Sequence, residues 1–168
     1  MIVRIMNDLS DELASRHGIP RGWWFGKRFS VRWGELDGFG HVNHVADLVW
    51  CEETRNAFLA SLGHPLAGPE TPGPVIKRVS FVYERPLRHG DEVVVTARAK
   101  WVRRTSFRMD YAAWSHGLAG FGHAVCVWFL NAAGRSVEIP EDLRRSFIER
   151  DGCRDLRGSR PGSDRDAT

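Results

Sequence analysis

Between Lys27 and Trp33 the sequence KRFSVRW alternates polar and apolar residues. Phe29, Val31 and Trp33 then share one face, the arrangement of a half-buried strand. A Gly-rich segment, LDGFGHVNH, leads into VADLVWCEETRNAFLASLG, which holds no Gly or Pro before Gly63 and Pro65 close it. The stretch predicts a helix of about five turns. Its first half is apolar nearly all round, through Val45, Ala46, Leu48, Val49, Trp50 and Cys51, and its polar residues concentrate at Glu52 to Asn56. Such a helix is enclosed by other structure rather than laid on a surface. Four further strand patterns follow: PVIKRVSFVYE, DEVVVTARAKWV, TSFRMDYAAWS and AGFGHAVCVWFLN. Turn signals at Pro86 to Gly90, Arg103 to Arg104 and His116 to Gly120 divide them. Short links between consecutive strands predict an antiparallel meander. One strand, a long buried helix, then four strands describe an α+β architecture, a curled antiparallel β-sheet wrapped around a long central helix.

Outside this unit, DLSDELASRH reads as a short helix capped by Asp8 or Ser10 and ended by Gly18 and Pro20, within a peripheral lead-in of residues 1–26. At the other end PEDLRRSFIER carries Pro140 at its first turn and acids near its start, which predicts a helix on the outside. Residues 151–168 hold four Arg and four Asp among Gly, Ser and Pro, with Leu156 as the only large apolar residue. Little apolar surface is left there to offset the entropy of ordering, so a disordered tail is expected. The main domain is accordingly placed at residues 27–150, and 168 residues suit one such domain.

Composition narrows the setting. No run of about 18 apolar residues occurs, and MIVRIMNDLSDELASRHG lacks the basic, apolar, small-residue layout of a secretory signal. No membrane partner is expected, and the cytoplasm is the expected location. Cys51, Cys126 and Cys153 are odd in number and form no CxxC, which favours reduced, buried thiols over a disulfide framework or a structural zinc site. The net charge of +3 comes from Lys and Arg scattered among acids, without the dense basic stripe that a nucleic-acid partner needs.

The chemistry concentrates in VRWGELDGFGHVNHVADLVWCEETRNAFL. Asp37 stands on a Gly-flanked turn, six residues ahead of a helix start formed around Asn43 and His44. A helix N-terminus offers unpaired N–H groups and partial positive charge, which polarise a carbonyl and hold an oxyanion. A carboxylate beside it attacks that carbonyl or activates a water. Thioester hydrolysis needs these two elements and little acid assistance, because thiolate leaves readily. Simpler readings stand beside these. Turn Asp residues often bond their own backbone, Asn43 and His44 suit a helix cap, and Glu52 and Glu53 suit a solvated or interface face. His41, His44 and Asp47 recur every three residues, which is weak evidence for a metal, and none is expected. Trp23, Trp24, Phe25, Trp33, Phe39 and Trp50 are core residues by default, some of them candidates to line a pocket.

The run from Val31 to Arg55 resembles the hotdog-fold thioesterases of the 4-hydroxybenzoyl-CoA thioesterase family, in which a strand is followed by D-x-[FAM]-G-H-V-N-N and a helix bearing E-E-A-R. The likeness extends through VSFVYERPLRHGDEVVV and VRRTSF to VCVWFLNAAGRSVEIPEDLR, roughly residues 28–148. It implies a hotdog fold and a cofactor-independent acyl-CoA or acyl-carrier-protein thioesterase, with Asp37 as the catalytic carboxylate and Glu52, Glu53 and Arg55 on the helix motif. It further implies that the His44 amide polarises the thioester, with Asn43 beside it, and that Arg103, Arg104, Thr105 and Ser106 lie near pantetheine and phosphates. A homodimer or homotetramer with its site at a subunit interface is implied as well. Two departures are visible: Asp47 stands where relatives often have Tyr, and Glu35 where Asp is more frequent. Hotdog hydratases or dehydratases acting on thioester-bound acyl chains, and non-catalytic acyl-carrier partners, are the alternatives. No D-x-N-P-x-H motif supports the former, and fold alone does not decide activity.

Overall fold

Ser10 accepts a hydrogen bond from the Leu13 amide at 3.2 Å and opens α1 (Asp11–His17), which Gly18 ends in the left-handed conformation. The computed structural model of the chain describes residues 9–158. The lead-in is tied to the rest of the fold: His17 is fully buried and its Nε2 lies 2.9 Å from Glu92 Oε1. Ile19 packs with Val94, Ala112 and Trp114.

β1 (Gly26–Ser30) is shorter than the alternation suggested. The Val31 amide still bonds Asp91 O at 2.9 Å, but Arg32 and Glu35 then close reciprocal hydrogen bonds that draw Trp33–Glu35 into a 3-10 turn. Trp33 is therefore 79% exposed instead of sharing a core face with Phe29. α2 (His44–Ser61) buries Ala46, Trp50, Cys51, Phe58 and Leu59, with Asn43 as its N-cap. Its apolar first half is enclosed on one side only, since Val45 is 54% and Val49 45% exposed.

The strands that follow are β2 (Gly73–Tyr83), β3 (Glu92–Val102), β4 (Ser106–Trp114) and β5 (Leu118–Leu130), then the two-residue β6 (Arg135–Ser136). α3 (Glu141–Asp151) and β7 (Arg154–Asp155) complete the described chain. The sheet order is β1-β3-β4-β5-β2, with β6 beside β5 and β7 beside β3. The expected four-strand meander is thus corrected: β3, β4 and β5 form one, but β2 crosses to the far edge and pairs with β5. The Glu84–Asp91 link is not a tight hairpin. It docks on the segments flanking β1 and α2, through Val42 N to Leu87 O at 2.9 Å and Gly90 N to Val31 O at 3.1 Å. Leu87 is buried there.

Phe25, Phe58, Phe107 and Phe147 fill the space between sheet, α2 and α3, each fully buried, which contributes about 1.5–3 kcal/mol apiece. The β2 and β5 backbones approach so closely that a Cβ at Gly122 would lie 2.2 Å from Ser80 O. Residues 152–157, placed in the tail by the sequence reading, pack on the domain. β7 pairs with β3, the Leu156 amide bonds Val102 O at 2.7 Å, and Arg144 reaches Asp155 at 3.1 Å. These local bonds need little apolar surface, which is why composition did not reveal them. Asp151, the first residue of the expected tail, ends α3 instead, and residues 159–168 lie outside the described residues, as does Asp8, the other candidate cap of α1. Among the described residues no helix is long and apolar enough to cross a membrane.

Candidate active site

An isolated antiparallel bridge between Leu36 and Val42 pinches the residues between them into a tight loop. Within it the Asp37 amide donates to His41 O at 2.7 Å and the Gly40 amide to Asp37 O at 3.1 Å. Gly40 takes a φ of 77°, which its lack of a Cβ permits. The Asp37 side chain is held by the same loop, its Oδ1 accepting from Phe39 N at 2.8 Å and His41 N at 3.1 Å. Hydrogen bonds from the Phe39 and His41 amides lower the Asp37 pKa below the ordinary Asp value and keep the group ionised. One carboxylate oxygen is thereby fixed, while Oδ2 has no partner among the described residues.

Glu35 ties this loop to the helix. Its backbone O accepts from Asn43 N at 2.8 Å, and its Oε1 accepts from Trp50 Nε1 at 3.1 Å and Arg32 Nη2 at 2.8 Å. Burial opposes ionisation of this carboxyl, but the bonds from Arg32 and Trp50 prevail and its pKa lies below the ordinary value. The Glu35 side chain thus bridges two elements.

At the start of α2 the Asn43 side chain accepts from Val45 N at 3.0 Å, and Asn43 O accepts from Ala46 N at 2.8 Å. Asn43 therefore acts as the cap. The His44 amide has no acceptor among the described residues, so it remains a donor at the positive end of an 18-residue helix.

Asp37, His41, His44 and Asp47 line one cleft of about 390 Å³, whose opposite wall is Tyr83 to Leu87 at the end of β2 and in the crossover link. The crossover that the sequence did not reveal thus supplies half of the site. Asp47, in the first turn of α2, is only 5% exposed, and burial pushes its pKa up to about 7. Tyr83 is likewise raised, first by burial and then by the charge of Asp47.

The remaining candidates lie elsewhere. Arg103, Arg104, Thr105 and Ser106 occupy the β3–β4 turn, where the Arg103 amide bonds Ser106 O at 2.7 Å, and they do not line this cleft. Arg104 pairs with Glu138 at 3.0 Å. Glu52 is exposed, and Glu53 pairs with Lys27 at 2.5 Å. Arg55 is buried, its Nη1 3.3 Å from the Tyr111 hydroxyl. The three cysteines are free and buried, and burial lifts Cys51 to about 12 and Cys126 to about 11.

Residues 31–147 match the model of the thioesterase-like superfamily. A thioesterase-superfamily crystal structure from Jannaschia sp. CCS1 is 38% identical, with a TM-score of 0.79 over 88% of this chain and 96% of that one. A thioesterase complexed with coenzyme A and Zn from Thermus thermophilus is 29% identical, with a TM-score of 0.67 over 79% of this chain and 98% of that one. The chloroplastic acyl-acyl carrier protein thioesterase ATL3 of Arabidopsis thaliana is 29% identical over 70% of this chain. The chain spans 64% of that protein's length and 51% of the length of a Bacillus subtilis relative. The curled sheet around α2 is the hotdog fold, and the chain belongs to the thioesterase superfamily.

Proposed function

We propose that the chain hydrolyses an acyl thioester of coenzyme A or an acyl carrier protein to free acid and thiol, with Asp37 as its catalytic carboxylate. The observation that carries this reading is the juxtaposition in one cleft of an ionised carboxylate with one free oxygen and an unpaired amide at a helix N-terminus. A thioester carbonyl set against the His44 N–H is polarised by that donor and by the α2 dipole. Asp37 Oδ2 then attacks the carbonyl carbon, forming a mixed anhydride that water cleaves, or it takes the proton of a water that attacks directly. In either route the C–S bond breaks and the electron pair leaves on sulfur, so no cofactor is called for.

The same reading includes a homodimer, or a homotetramer built from two of them. β2 is an eleven-residue edge strand exposing Val75, Ile76, Val79 and Val82, and α2 exposes Val45 and Val49. An apolar edge of that length is normally paired. A second copy joined there would extend the sheet across a two-fold axis. Its Arg103 to Ser106 would be the groups that bind the phosphate-bearing arm of the substrate, since these residues lie off the cleft of their own chain.

Thiol release over a panel of aryl, short, long and 3-oxo acyl-CoAs, with acyl-carrier-protein counterparts, tests the reading. Release from at least one class is expected. Conversion of an enoyl thioester without free thiol would replace it with hydration.

A further inference from the structure

Asp47 is the feature of this cleft that hydrolysis alone does not use. Its side chain lines the cleft, is nine-tenths buried, and has neither a hydrogen bond nor an ion pair among the described residues. An unpartnered buried carboxyl is costly unless something meets it, and a ligand in the cleft is the available partner. The charge around it points to the sign of that ligand. Among this chain's own residues, the carboxyl groups of Asp37, Asp47 and Glu84 line the cleft with the guanidinium of Arg85 and the imidazoles of His41 and His44. Arg85 is turned to the β5 entrance, with Nε 3.3 Å from Leu118 O and Nη2 3.5 Å from Gly117 O. Tyr83 adds a phenol ring to the same wall.

Spacing sets where on the substrate the charge would sit. Asp47 is three residues beyond His44, about 4.5 Å along the helix axis, and helical side chains lean back toward the N-terminus. A substituent two or three bonds from a carbonyl held at the His44 amide therefore comes within reach of the Asp47 carboxyl.

We propose that Asp47 is a specificity-determining residue and that the site takes thioesters whose acyl group bears an ammonium group near the carbonyl, an inference that rests on the thioesterase reading.

Three acyl-CoAs of nearly identical shape isolate the effect. β-Alanyl-CoA, 3-hydroxypropionyl-CoA and butyryl-CoA end in an ammonium, a hydroxyl and a methyl group respectively. The expected result is a kcat/KM for β-alanyl-CoA at least about tenfold above that for butyryl-CoA, a ratio that Asp47→Asn brings near unity and Asp47→Leu inverts. Because the readout is a ratio within one protein, partial loss of folding cancels. Binding is read separately as the thermal shift of the Asp37→Asn protein with each thioester, where β-alanyl-CoA should give the largest shift. Butyryl-CoA equal or preferred in both readouts, a ratio unchanged by Asp47→Asn, or 3-hydroxypropionyl-CoA ranked first would each overturn the proposal. A β-alanyl preference in binding with no thiol released from these three or from any thioester of the wider panel would instead sink the thioesterase reading and leave the assignment of Asp47 standing.

Discussion

Replacing Asp47 with Asn should make the protein more stable, and by an amount that grows with pH. Burial raises the folded-state pKa from 3.8 to about 7, so the folded chain binds this proton more tightly than the unfolded chain does. Stability from the protonated carboxyl is therefore complete below about pH 4 and is lost progressively as pH rises to about 7. Asn keeps the shape and cannot titrate. The span from 3.8 to about 7 corresponds to roughly 4 kcal/mol, and water at the mouth of the cleft reduces it to about 2–4 kcal/mol. Guanidinium denaturation of both proteins at fixed concentration, from about pH 4.5 to 8.5, measures the difference. It should widen by that amount between about pH 4.5 and 7.5 and level off above. A difference that stays constant across the range would show that Asp47 is already solvated or paired, which would also remove the ground for its role in substrate choice.

Gly122→Ala should destabilise by about 1–3 kcal/mol or more, read from the same denaturation curves at constant pH. Its new Cβ meets the β2 backbone at Ser80 O, which cannot yield without parting β2 from β5. Arg144→Met should cost about 2–4 kcal/mol and speed amide exchange at Leu156. The buried guanidinium holds Arg103 O at 2.7 Å and Asp155 at 3.1 Å, joining the β3–β4 turn to β7. Unchanged exchange at Leu156 in a folded variant would show that β7 holds without it.

The parts of this architecture written in local pattern were legible in the sequence. The span of α2 follows from a run without Gly or Pro between Asn43 and Gly63, and β2 to β5 fall within a residue or so of their hydrophobic patterns. Strand order was not legible. Periodicity identifies β2 but does not say which neighbour it pairs with, and the eight-residue Glu84–Asp91 link hides a crossover because its anchors, Val42 and Val31, are distant in sequence. The site divides the same way. Asp37, Asn43 and His44 stand in one contiguous motif; the loop and helix start bring Asp37 and His44 to one cleft, with Asn43 as the cap of α2. Tyr83, Glu84 and Arg85 reach the cleft only through that crossover, and no spacing rule connects them to Asp37. Asp47 was visible as a departure from Tyr, but its burial and lack of a partner are properties of the folded cleft.

Thiol release by an Asp37→Asn variant tests the central claim most directly. The substitution removes the charge, nearly preserves the shape, and leaves an acceptor oxygen for the Phe39 and His41 amides. With a circular dichroism spectrum and melting temperature close to those of the parent, turnover of the best acyl thioester should fall by at least about a hundredfold. His44→Ala, which keeps the backbone N–H at the start of α2, should retain most of the activity. A folded Asp37→Asn protein that releases thiol at the parental rate would contradict the account.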